Sequence, residues 1–87
     1  MATRESVEAM IQQCEDVIRF ANDQFTISNT QEHYNNEQYV QALQQLEDAY
    51  NDLAKLAHSA NGQQREQLHR MRLQLQQVQN QMILLNQ

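Results

Sequence analysis

The sequence predicts an all-α fold, an antiparallel up-down-up three-helix bundle with coiled-coil-like heptad seams. Three observations carry that expectation. Apolar residues recur in alternating steps of three and four along three separate stretches, the repeat of a helix that buries one stripe. The chain has no proline and one glycine, so almost nothing interrupts a helix. Its polar remainder holds 17 Gln and 8 Asn beside 17 charged residues, so amides fill much of the space between the seams. At 87 residues the chain is long enough for one modest core and too short for two. It is therefore expected to form a single domain, 1–87, with helices over about 4–26, 31–60 and 63–86.

The first helix begins after Thr3, a suitable N-cap, with Glu5 and Glu8 where a helix start favours negative charge. Val7, Met10, Cys14, Val17 and Ala21 form its seam, and Ile11, Ile18 and Phe25 widen it. A stripe this broad suits a helix that touches two neighbours. Glu15 and Arg19 are spaced as an i,i+4 ion pair. Beyond Phe25 the stretch "FTISNTQ" places β-branched residues beside Ser and Asn, which predicts a turn near 27–30. Ser28 with Gln31 resembles a capping box, Thr30 is a second candidate cap, and Asn35 with Gln38 offers a later start.

The second helix carries the cleanest repeat, Tyr39, Leu43, Leu46, Tyr50, Leu53, Ala57 and Ala60. Val40, Ala42, Ala49, Ala54 and Leu56 flank it on both sides. Gly62 follows as a left-handed cap just past the helix end. The third seam, Leu68, Met71, Leu75, Val78, Met82 and Leu85, is out of phase with the second, which favours a break at Asn61-Gly62. A continuous helix with a stutter is the alternative.

The third helix differs from the others because its seam is narrow and Leu73, Ile83 and Leu84 point away from it. These three are the candidate partner-facing residues, for a second copy or for another protein. Scattered surface leucines are the plainer reading.

The net charge of −5 argues against general attraction to nucleic acid or anionic membranes. No run of eighteen apolar residues is present to span a bilayer, and the start lacks the blocks of a secretory signal. A single cysteine suits a reducing compartment, so a cytoplasmic setting is expected. Charge is unevenly spread. Residues 63–87 hold three arginines and one glutamate, net +2, whereas residues 1–62 hold three cations and ten acids, net −7. Arg65, His69, Arg70 and Arg72 thus form a candidate basic patch, through which a small regulator could contact nucleic acid. The simpler reading is that these cations complement two acidic neighbouring helices.

No catalytic or cofactor constellation emerges, and no small-molecule ligand is indicated. Glu66 and His69 have the Glu-x-x-His spacing of di-iron bundles, but the second copy and the further inward carboxylates are missing. Glu47, Asp48 and Asp52 lack the glycine-bearing loop of an EF-hand. His33 and His58 read as solvated surface. Cys14 falls on the apolar seam beside Glu15 and Asp16, surroundings that disfavour a thiolate. The expectation is a non-enzymatic protein with no metal or cofactor, acting by helix packing with itself or a protein partner.

In "SVEAMIQQCEDVIRFANDQ" and "YVQALQQLEDAYNDLAKLAHSAN" the chain resembles a family of short uncharacterised helical proteins from spore-forming Gram-positive bacteria. The resemblance extends along most of the chain. It implies a bacterial cytosolic setting and brings no functional residue with it.

Overall fold

A computed structural model describes residues 2–31 and 37–85, with the side chains of 29–31 and 85 left aside. Thr3 opens the first helix as expected. Its Oγ1 accepts the Ser6 N–H at 3.0 Å, while Ser6 Oγ accepts the Thr3 N–H at 3.0 Å. Each side chain thus satisfies a main-chain donor that the helix start leaves over. The helix, α1, runs Arg4–Gln31; α2 spans Glu37–Ala57 and α3 spans Gly62–Leu85. Each helix touches both of the others, and the described residues contain no strand.

The direction of travel follows from two hydrogen bonds at one end. The Ala2 N–H donates to the Ser59 carbonyl at 2.7 Å, and Gln64 Nε2 donates to the Ala2 carbonyl at 3.3 Å. The start of α1, the end of α2 and the start of α3 therefore meet, which makes the bundle up-down-up as the sequence predicts. Its long dimension of 44 Å matches the roughly 42 Å that 28 residues of α-helix rise.

One core runs along the axis. α1 contributes Val7, Cys14, Ala21, Gln24 and Ser28; α3 contributes Leu68, Met71, Leu75 and Met82, all buried. In α2 the buried line is Tyr39, Ala42, Leu46, Ala49 and Leu53. Leu43 and Tyr50, placed on the seam by the sequence, are only partly buried. The small Ala42 and Ala49 are buried in their place.

Five local expectations need correction. The first helix does not stop at 26, and the turn expected near 27–30 is helical through Gln31. Ser28 lies seven residues beyond Ala21 and is fully buried, so it extends the α1 packing face rather than capping a new helix. Tertiary burial overrides the weak propensity of Thr26 and Ile27. The second helix consequently cannot start at 31; Asn35, the later candidate start, and Thr30's side chain lie outside what is described. At its other end α2 stops at Ala57 rather than 60. His58, Ser59 and Ala60 donate to Lys55, Leu56 and Ala57 at 3.2, 3.1 and 3.2 Å, the i→i−3 pattern of a tightened last turn.

Gly62 is likewise not a left-handed cap. It is the first residue of α3 and its φ lies outside the left-handed region. The cap is Asn61, whose Oδ1 accepts the Gln64 N–H at 2.9 Å while Gln64 Oε1 accepts the Asn61 N–H at 3.0 Å. This reciprocal capping box separates α2 from α3 and excludes the continuous helix. Finally, Arg19 pairs with Asp16 at 3.5 Å rather than with Glu15, because i−3 is as close as i−4 on a helix surface.

Candidate functional site

The sequence singles out two features of α3, and the structure resolves each into particular residues. The first is the side turned away from the bundle. With Leu68, Leu75 and Met82 buried against α1 and α2, residues about half a turn away must face outward. Leu73 is 49% exposed, Ile83 43% and Leu84 66%. Leu73 and Leu84 lie along one shallow groove with Gln76, Gln77, Asn80 and Gln81, every one an exposed residue of α3. Ile83 does not line it. One residue from Leu84 is about 100° of helix rotation, which turns Ile83 toward a different flank.

The second feature is the basic patch, which the fold divides. Arg65, His69 and Arg72 line a depression between α2 and α3, over Leu53, Ala54 and Ala57. His58 joins them from the end of α2. Arg70 is elsewhere on α3, in a 2.8 Å ion pair with Glu66. Both of those side chains are largely exposed, so the pair contributes little to stability. Two of the groove's cations also have structural work. Arg65 Nε donates to the Ala57 carbonyl at 3.2 Å, a second donor beside the Ala60 N–H at the end of α2. The Arg72 guanidinium lies 5.6 Å from the centre of the Tyr50 ring, within cation–π range.

His58 is the member that sequence reading missed. Its signal is geometric: a tight antiparallel connection between α2 and α3 brings a residue just before the turn beside one just after it. His69 and Glu66 are both exposed, and His33 lies outside the described residues. Among the described residues no three His, Cys, Asp or Glu side chains are placed to hold a metal ion.

Cys14 is fully buried, with Sγ 3.9 Å from Met10 Sδ. Burial chiefly, then the negative charges of Asp52 and Glu15, push its thiol up to about 11. At neutral pH it is a small apolar core group and not a nucleophile. No described helix is long and apolar enough to cross a membrane.

A three-helix bundle in which no metal-binding cluster is assembled among the described residues is defined by its architecture alone. Comparison supplies the family. The chain belongs to the family described as protein of unknown function (DUF2524), whose model matches residues 1–84. It is similar to the uncharacterized protein YtzC of Bacillus subtilis (strain 168), being 57% identical over 84 residues, or 97% of this chain and 93% of the relative. The resemblance to short uncharacterised helical proteins of spore-forming bacteria therefore holds. No solved structure matches the chain.

Proposed function

We propose that this chain is a non-enzymatic interaction protein of the bacterial cytoplasm, acting by helix-on-helix packing through the outer face of α3. The observation that carries the reading is the exposure of Leu73 and Leu84 along one α3 groove whose other lining residues are uncharged amides. Apolar side chains set in a neutral rim suit a protein surface better than a substrate. The free, buried thiol of Cys14 is in keeping with a reducing compartment.

Affinity capture from native cells tests the reading, with Leu73→Glu and Leu84→Glu run beside the unmodified chain. A glutamate in a dry helix contact strands a charge, so both variants should lose the chain's partners, second copies included. Equal recovery by all three chains would reject this face.

A second reading has the basic groove in its favour, since His58, Arg65, His69 and Arg72 converge there without an acid among the lining residues. On it, the chain is a small regulator that contacts nucleic acid phosphates. The intramolecular engagements of Arg65 and Arg72 and the net charge of −5 weigh against it. Filter binding at two salt concentrations decides the matter: no affinity at low salt removes this reading.

A further inference from the structure

We propose that the occupant of the α3 outer face is a second copy of this chain, the two α3 helices lying antiparallel about a two-fold axis level with Val78 and Gln79. This rests on the reading of that face as a docking surface and names what covers it.

The first support is self-complementarity. Six exposed residues line the groove: Leu73, Gln76, Gln77, Asn80, Gln81 and Leu84. Their chemistry reads the same from either end, with leucine outermost and amides between. Leu73 and Leu84, Gln76 and Gln81, and Gln77 and Asn80 each straddle the same midpoint. A two-fold contact sets residue i against j and j against i. An antiparallel pair in this register therefore brings leucine to leucine at both ends and amide to amide in the middle. Each amide carries both donors and an acceptor, so like meets like without loss, which two carboxylates or two ammonium groups could not do.

Charge supplies the second support. On a chain of net −5, self-contact through the acidic helices opposes like charges. Residues 73–87 form the longest stretch of the sequence without an ionisable side chain. This is the face on which two copies meet with the least repulsion.

Size sets the strength. Leu73 and Leu84 are about 16 Å apart along the helix, and one helix face of that length buries less than the ~800 Å² per partner of a standard stable interface. The dimer is accordingly weak, reversible and visible only as concentration rises.

Disulfide trapping tests both the pairing and its direction. Chains carrying Gln77→Cys and Asn80→Cys are mixed at high concentration in a glutathione redox buffer, with enclosed Cys14 left in place. The antiparallel register places position 77 of one copy opposite position 80 of the other. The mixed disulfide should then exceed its statistical share, and adding Leu84→Glu to both chains should cut the yield several-fold. Circular dichroism on each variant checks that helix content is kept, and Leu73→Glu serves should Leu84→Glu unfold. Homodisulfides in excess, a statistical mixture, or a yield unmoved by the glutamate would overturn the proposal. So would a single monomer mass by sedimentation at every concentration. If that monomer still loses a heterologous partner on Leu84→Glu, the second copy is refuted while the docking face stands. If neither self-contact nor partner recovery responds, both fall.

Discussion

The Tyr39 hydroxyl donates a 2.6 Å hydrogen bond to the main-chain carbonyl of Met82, joining the start of α2 to the last described turn of α3. A buried carbonyl needs a hydrogen-bond donor, and Met82 is fully buried. Tyr39 is itself fully buried, so a single side chain fills the core at this end of the bundle and satisfies the end of a neighbouring helix.

Replacing that hydroxyl should cost about what one net intramolecular hydrogen bond contributes. Tyr39→Phe keeps the ring but removes this bond, for an expected loss of about 0.5–1.5 kcal/mol. Urea unfolding followed by circular dichroism would show a lower midpoint with an unchanged slope. An unchanged midpoint would mean that water or another donor already serves this carbonyl.

The connection between α2 and α3 offers a gain instead. Gly62 occupies a helical position outside the left-handed region, and a Cβ built there meets nothing within 4 Å. Gly62→Ala should stabilise the fold by roughly 0.4–1 kcal/mol, largely by restricting the unfolded chain. Asn61→Ala removes the reciprocal cap and should cost about 1 kcal/mol. Thermal melts of the two variants moving in the same direction would contradict this account of the turn.

Cys14 links stability to alkaline pH. Below its ordinary value near 9.0 the thiol is neutral in both folded and unfolded chains. Between there and about 11, the unfolded thiol ionises while the folded one is held neutral. Unfolding then releases a proton, so stability falls as pH rises through this window. The loss attributable to this group is on the order of 3 kcal/mol at its limit. Comparing the unfolding free energy of the wild type and Cys14→Ala from pH 8 to 11 isolates it from tyrosine and lysine titration. The wild-type curve should fall more steeply. The same enclosure predicts slow reaction of the native thiol with a thiol reagent and fast reaction once the chain is denatured; rapid native labelling would show the core to be open.

Much of the architecture was legible because it is periodic. Cys14 and Ala21, or Leu68 and Leu75, recur every seven residues, and that interval alone assigns them to a buried stripe. What escaped was decided by tertiary contact or by competing local signals. Ser28 looks like a cap in sequence and is a buried helix residue in the fold, because its place on the α1 packing face outweighs its local preference. The Asn61 capping box was present as Asn-x-x-Gln, but Gly62 drew the competing interpretation of a helix end. On the candidate surfaces, Leu73 and Leu84 stand where the heptad places them, on the open side of α3. Arg70 left the basic cluster, and His58 entered it, for a reason no linear spacing encodes: the α2–α3 packing decides which cations share a groove.

The two sides of α3 are unlike: one is committed to the core and the other lies open. Paired urea unfolding of Leu75→Asp and Leu84→Asp, measured dilute so that self-association plays no part, separates the two sides. Leu75 is fully enclosed and Leu84 is 66% exposed, so Leu75→Asp should abolish the cooperative transition, whereas Leu84→Asp should stay within about 0.5 kcal/mol of the wild type. Two equally damaged chains, or two unaffected ones, would contradict the account.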